Sequence, residues 1–112
     1  KRIEDITDTD MNIETANDVI YGDMDMEIIN IDKCDFLIGR LQSHVDYVIK
    51  NNAVGKIHAQ IISRDDKYYI KDLNSKNGTY INEERIVSNT EYEIKSGDRI
   101  TFANSQYVFI KE

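Results

Sequence analysis

The chain has 112 residues, a net charge of −7 at pH 7 and a single cysteine, Cys34. This length provides one buried core, and the acidic balance argues against a nucleic-acid binder, because duplex binding requires a basic face. One cysteine forms neither an internal disulfide nor a zinc site, so we expect a reducing, cytoplasmic location and no metal or cofactor. No apolar run approaches the length of a membrane span, and no signal peptide is recognisable.

The acidic excess is confined to the first third of the chain. Residues 1–37 carry three basic and eleven acidic residues, whereas residues 38–112 carry eleven basic and ten acidic residues. Residues 1–17 contain too few apolar positions to define a buried face. We therefore expect residues 1–17 to be an acidic linker or the tail of a longer protein, and residues 18–112 to be the folded domain.

From residue 18 onward, short apolar runs alternate with period two between clusters of Asn, Asp, Gly and Ser, which is typical of strands. No segment requires a helix. Residues 64–66 separate two such runs and predict a hairpin turn. Many short strands with frequent turns predict an all-β antiparallel sandwich of about 11 strands. The predicted strands are 18–22, 26–31, 35–39, 47–50, 58–63, 67–71, 79–82, 84–87, 92–94, 98–102 and 106–110.

Gly39 and Arg40 form the first of three motifs that lie where a strand pattern ends. Arg40 follows an apolar run and opens a polar loop. A guanidinium group offers planar paired donors that match a phosphate group. Taken alone, however, an arginine at a strand end more often forms a surface ion pair.

The second motif spans residues 53–59 and contains Gly55, Lys56 and His58. Glycine allows backbone N–H groups to approach an anion closely, and Lys56 supplies a cation without a paired fork. His58 borders an alternating strand pattern, which suits a partly buried imidazole. We expect it to be structural rather than catalytic or metal-binding.

The third motif is the run DLNSKNGTYIN at residues 72–82. Its Asn77-Gly78 pair is a strong turn signal, because both residue types tolerate positive φ. Ser75 and Lys76 precede this pair, and Thr79 begins the next strand pattern. The run therefore predicts a tight loop that presents polar side chains.

In this order and spacing, the three motifs resemble the signature of forkhead-associated (FHA) domains, β-sandwich modules that recognise phosphothreonine in partner proteins. The resemblance spans about residues 18–112 and implies a bacterial-type FHA domain of the SMAD/FHA class, acting as a signalling adaptor without enzymatic activity. Gly55 replaces the usual Ser, and Lys76 replaces the usual Thr. These departures leave an alternative open, a phosphorylation-independent interaction scaffold with a degenerate phosphate pocket.

The resemblance also implies roles for individual residues. Arg40 would donate to the phosphate, Asn77 would hold the peptide backbone, and His58 would brace the loops. The implied phosphopeptide-binding residues are Arg40, Gly55, Lys56, Ser75, Lys76 and Asn77. The implied structural support consists of Gly39, His58, Gly78 and Thr79.

The acidic tail itself contains candidate ligands. Thr7 and Thr9 lie among acidic residues, and Asp10 is the third residue after Thr7, a position on which FHA domains often select. A tethered ligand has a high effective concentration, so a phosphorylated tail could occupy the pocket in cis. Thr15 lies close to the first strand, which favours Thr7 or Thr9. The alternative is an acidic linker that is never phosphorylated.

Overall fold

The computed structural model describes residues 19–22 and 28–111, which form eleven strands and no helix. The expected linker at 1–17, with Thr7 and Thr9, lies outside these residues. The strands are β1 (Val19–Gly22), β2 (Ile28–Asn30), β3 (Asp35–Gly39), β4 (Tyr47–Val48), β5 (Ala59–Arg64), β6 (Lys67–Asp72), β7 (Thr79–Ile81), β8 (Glu84–Arg85), β9 (Glu91–Ile94), β10 (Arg99–Phe102) and β11 (Ser105–Ile110).

The strands form two sheets. One has the order β2-β1-β11-β10-β7-β8, and the other has the order β4-β3-β5-β6-β9. The predicted all-β sandwich is confirmed, but one ladder in the described part of the chain is not antiparallel. Strand β4 runs parallel to β3, with Ile38 opposite Tyr47. The Asp46 N–H donates to the Leu37 carbonyl, so the chain already lies beside β3 before β4 begins. The connection between β3 and β4 is therefore not a hairpin.

The predicted turn at residues 64–66 is confirmed. Arg64 pairs with Lys67 across the end of the β5–β6 hairpin. The two residues between them, Asp65 and Asp66, have φ of 56° and 65°. Two consecutive positive φ values define the type I′ turn, whose twist matches that of the flanking strands.

The core lies between the two sheets and contains alternate residues of their strands. Phe102 packs edge-on against Tyr107, with ring centroids 5.8 Å apart. Tyr68 and Tyr92 are partly buried and pack at the margin of the core. Removing this apolar surface from water is the main source of stability. The fully buried apolar residues are Ile29, Ile38, Val54, Ala59, Ile61, Ile70, Ile100, Phe102 and Phe109.

Loops from both sheets meet at one end of the sandwich. They are the β3–β4 loop (residues 40–46), the β4–β5 loop (residues 49–58), the β6–β7 loop (residues 73–78) and the β10–β11 turn (residues 103–104). Ala103 donates its N–H to the Gly78 carbonyl at 2.9 Å. Asn51 Nδ2 donates to Asn104 Oδ1 at 2.7 Å and to Ser105 Oγ at 2.8 Å. The three sequence motifs are thereby brought to the same end.

No helix in the described ranges is long and apolar enough to cross a membrane.

Candidate functional site

The β3–β4 and β4–β5 loops contact each other at Gly39 and Lys56. The Lys56 carbonyl accepts the N–H groups of Arg40 and Leu41, each at 3.1 Å. A Cβ atom at position 39 would overlap this carbonyl. Glycine is therefore required at position 39 for the close backbone approach, which sets Arg40 beside Lys56.

The Arg40 side chain is held by a hydrogen bond at Nε. Its Nε donates to the Val54 carbonyl at 2.8 Å, and the side chain is half-buried. Its two terminal nitrogens have no partner within residues 28–111. A guanidinium group fixed at Nε and free at its fork is arranged to bind an oxyanion in bidentate fashion.

Asn77, in the β6–β7 loop, contacts the same β4–β5 loop. Its Nδ2 donates to the Ala53 carbonyl at 2.8 Å, next to the carbonyl that Arg40 contacts. Its Oδ1 accepts no hydrogen bond from the described residues. An amide with a free acceptor and a second N–H can pair with both groups of a peptide backbone.

His58 links the β4–β5 and β6–β7 loops. Its Nδ1 accepts the Gly55 N–H at 2.8 Å, and its Nε2 lies 2.9 Å from the Gly78 carbonyl. Since a carbonyl only accepts, Nε2 carries the proton and the ring is neutral. Burial lowers the pKa of His58 below its ordinary value and outweighs the Gly78 carbonyl and the Asp72 carboxylate, which favour the charged ring.

The β6–β7 loop is folded around the buried carboxylate of Asp72. Oδ1 accepts the hydroxyls of Ser75 and Thr79, each at 2.6 Å. Oδ2 accepts the Ser75 N–H at 3.0 Å and the Ser88 hydroxyl at 2.8 Å. Burial raises the pKa of Asp72, but these hydrogen bonds outweigh burial, so the pKa lies below its ordinary value. The contribution of Ser88 has no signal in the sequence, because Ser88 lies outside the three motifs.

Two groups expected near the phosphate point into the loops in this structure. The Gly55 N–H donates to His58. The Ser75 hydroxyl donates to Asp72 and accepts the Gly78 N–H at 2.9 Å. Contacts of Gly55 and Ser75 with a phosphate stay predictions.

Gly78 and Thr79 shape the end of the β6–β7 loop. Gly78 has φ of 86°, a conformation that favours glycine. A Cβ atom there would also lie 2.6 Å from Arg85 Nε. Thr79 is buried and uses its hydroxyl on Asp72. Both residues therefore contribute to the shape of the loop, and their role as structural support of a binding site stays a prediction.

The loop end carries several cations. Lys56 and Lys76 are exposed and form no ion pair with any acid in the described ranges. Arg85, which the sequence analysis did not single out, donates from Nη2 to the Lys76 carbonyl at 3.4 Å. It reaches this loop because β8 pairs with β7, which places Arg85 opposite Tyr80. Together with Arg40, these residues make the end electropositive although the whole chain is acidic.

Within the described ranges, no group of three or more His, Cys, Asp and Glu residues could hold a metal ion. The family model for the FHA domain matches residues 36–103, which span all three motifs. The chain belongs to the FHA domain family.

Relatives of this FHA domain include both plant and bacterial proteins. The protein phosphatase 1 regulatory inhibitor subunit PPP1R8 homolog of Arabidopsis thaliana is 24% identical over 94 residues, covering 83% of this chain and 26% of that protein. The structure of Mycobacterium tuberculosis EmbR in complex with a low affinity phosphopeptide has a TM-score of 0.80 and 27% identity. That match covers 87% of this chain and 25% of EmbR. The chain thus spans about a quarter of the length of these proteins.

A third structure, from an analysis of phosphothreonine-dependent FHA domain interactions, has a TM-score of 0.77. Its identity is 21%, and the match covers 87% of this chain and 98% of that one. At this identity the likeness shows the fold, which is the FHA sandwich. The likeness to EmbR agrees with the bacterial type that the sequence analysis expects.

Proposed function

We propose that this FHA domain binds phosphothreonine peptides of partner proteins as a signalling adaptor. One observation carries the proposal. Arg40 and Asn77 donate to the adjacent carbonyls of Val54 and Ala53 and keep their remaining polar groups free on the same surface. A preorganised cation beside a preorganised amide suits a phosphate attached to a peptide backbone. The solved phosphopeptide complex of EmbR supports this assignment.

In this proposal Arg40 binds two phosphate oxygens, and Lys56 and Lys76 add positive charge from either side. Asn77 holds the peptide backbone. Gly55 and Ser75 contribute by ordering the loops, since their donors are directed at His58 and Asp72.

We assign the FHA domain to residues 18–112 and a linker to residues 1–17. We also assign no enzymatic activity to the domain, because the serine–histidine contact in the β3–β4 loop, Ser43 Oγ to His44 Nδ1 at 2.8 Å, has no third residue in the described ranges that orients the ring. A cytoplasmic location fits the exposed, unpaired Cys34.

A scaffold that binds partners without phosphorylation is the second candidate. It is favoured by the Gly55 N–H and the Ser75 hydroxyl, both of which are engaged within the loops. If the phosphate pocket is degenerate in this way, the same loops would bind an unmodified peptide.

Calorimetric titration with a phosphothreonine peptide library and its unphosphorylated twin separates the two functions. We expect binding of phosphothreonine members and at least about a tenfold loss without the phosphate, the value of one charge-assisted contact. A matched series with phosphoserine in place of phosphothreonine tests whether the domain also distinguishes the residue that carries the phosphate. Equal affinity for both twins would overturn the proposal and establish the scaffold.

We further propose that the tail supplies a ligand in cis through phosphorylated Thr7 or Thr9. Gly22 pairs with Tyr107, and Val19 pairs with Ile110. Since β11 begins at the loop end, Val19 is at the far end of the sandwich. An extended chain spans about 3.3–3.6 Å per residue, so a stretch from Thr7 reaches about 40 Å, comparable with the 37 Å long axis. An extended stretch from Thr15 to Val19 spans only about 14 Å, which is too short.

The test is to phosphorylate the full chain and measure the affinity for an added phosphothreonine peptide. We expect phosphorylation to weaken this affinity, and Thr7→Val combined with Thr9→Val to restore it. Thr15→Val is the control and should restore nothing. An affinity that phosphorylation leaves unchanged would make residues 1–17 only a linker.

A further inference from the structure

Arg85 lies against the β6–β7 loop at Gly78 and Lys76. Arg40 follows β3 of the five-stranded sheet, whereas Arg85 belongs to β8 at the edge of the six-stranded sheet. The Arg85 side chain crosses over Gly78, where the missing Cβ makes room for it, and reaches the Lys76 carbonyl. Arg40 and Arg85 therefore come from opposite sheets.

The Arg85 side chain lies against the loop at Gly78, while most of its donors remain free. One Nη2 hydrogen bond to the Lys76 carbonyl, at 3.4 Å, is its only contact of this kind in the described part of the chain. The neighbouring acids Glu83 and Glu84 form no ion pair with it. By contrast, the exposed Arg64 is paired with Glu91 at 2.8 Å.

The exposed Arg85 guanidinium group contacts the backbone of the exposed residue Lys76, so these two basic residues form a candidate anion site distinct from the one at Arg40. Arg40 contacts Val54 of the β4–β5 loop, whereas Arg85 contacts the β6–β7 loop at Lys76, so a phosphate bound at Arg40 would occupy a different place. The natural ligand for the second site is thus a separate carboxylate carried by the same peptide, since a paired guanidinium fork matches carboxylate geometry.

We propose that Arg85, with Lys76, recognises an acidic residue that flanks the phosphothreonine in the bound peptide. The inference rests on the proposed phosphopeptide function and adds a sequence preference to it. It makes Arg85 a specificity-determining residue, whereas Arg40 determines the requirement for phosphate.

The test uses the full chain and a set of phosphothreonine peptides in an alanine background, with one Asp placed at successive positions on either side. For the wild type, we expect one position where Asp improves affinity about tenfold over Ala, the value of a charge-assisted pair. In Arg85→Gln this ratio should fall to about two or less, with little change in affinity for the all-alanine peptide.

Arg99→Gln is the matched control. It removes the same charge from the same sheet, but Arg99 is at the opposite end of β10 from Ala103, which contacts the loop. We expect Arg99→Gln to keep the wild-type preference. A charge reversal, Arg85→Glu, should transfer the preference to a peptide with Lys at the same position.

The outcomes distinguish a failure of the proposed role of Arg85 from a failure of the proposed phosphopeptide function. If Arg85→Gln weakens every phosphothreonine peptide by the same factor and keeps the Asp preference, Arg85 only supports the loop and the inference is wrong, while the proposed function stands. If no position favours Asp in the wild type, the inference is also wrong. If the wild type does not distinguish phosphorylated from unphosphorylated peptides, the proposed function itself fails.

Discussion

Gly39 and Lys56 approach each other so closely that no side chain fits between them, because a Cβ atom at position 39 would overlap the Lys56 carbonyl oxygen. That carbonyl also accepts two backbone N–H groups from the β3–β4 loop. The contact therefore joins the two loops that carry the principal cations, Arg40 and Lys56, and an alteration here affects both stability and binding.

Gly39→Ala should destabilise the domain by about 2 kcal/mol or more, because backbone must shift to accept the methyl group. Phosphopeptide affinity should fall as well, since Arg40 would be displaced. Urea unfolding followed by tyrosine fluorescence measures the first effect; the chain has seven tyrosines and no tryptophan. Gly55→Ala is the control, because the nearest atom to its Cβ would be His58 Nδ1, at an ordinary 3.5 Å. Equal stability of the two variants would contradict the steric argument.

Arg40→Ala should abolish most phosphopeptide binding and leave the fold intact, because the proposed anion site includes this guanidinium group and the apolar core does not. Arg40→Lys should also bind at least about tenfold more weakly than the wild type, since lysine keeps the charge but lacks the fork and the Nε donor. Calorimetry and a thermal melt measure the two properties. Wild-type affinity in Arg40→Ala would show that Arg40 is not part of the binding site.

Gly55→Ser should strengthen phosphate binding several-fold by adding a hydroxyl donor, a contact worth about 1 kcal/mol. The structure has room for it, since the nearest atom to a Cβ at position 55 is at van der Waals distance and φ is not positive. Gly55→Ala is the control, because it adds the Cβ atom without the hydroxyl group. Weaker binding by both variants would mean that the loop needs the freedom of glycine.

The stability of the domain should fall as the pH drops from about 7 towards 5. His58 has a folded-state pKa below its ordinary 6.5, so in this range the unfolded chain binds the proton and the folded chain does not. Protonation of Nδ1 would also remove the acceptor for the Gly55 N–H. Urea unfolding at several pH values measures the slope.

In His58→Gln this slope should be reduced, and the variant should be less stable at pH 7 by about 1 kcal/mol or more, because buried partners lose their hydrogen bonds. The exposed His44 provides the control, as His44→Gln should keep the wild-type stability at pH 7. An unchanged melting temperature in His58→Gln would argue against the bracing role.

Asp72→Asn should cost about 2 kcal/mol or more, because an amide NH₂ would face hydroxyl and N–H donors inside the β6–β7 loop. The control is Asp66→Asn, the same chemical change at an exposed turn residue with positive φ, which asparagine tolerates. Chemical unfolding compares the two variants. Similar stability would mean that the hydroxyls around Asp72 reorient without loss.

Several features follow from the sequence because their causes are local. The period-two alternation places strands within one or two residues for most elements, and the two aspartates at 65 and 66 mark the hairpin that the structure shows. The motif residues lie at strand ends, so their clustering at the loop end could be predicted once a sandwich was assumed. The need for glycine at position 78 likewise follows from its place in an Asn-Gly turn.

Tertiary structure alone decided the rest, because hydrogen-bond directions and neighbours across the sheets depend on contacts between distant segments. The parallel pairing of β4 with β3, and the engagement of the Gly55 N–H by His58, have no local signature. Arg85 became a site candidate only because β8 pairs with β7 and sets it over Gly78. The sequence thus determined which motif residues reach the loop end, whereas the fold added Arg85 and determined which polar groups remain free to bind a ligand.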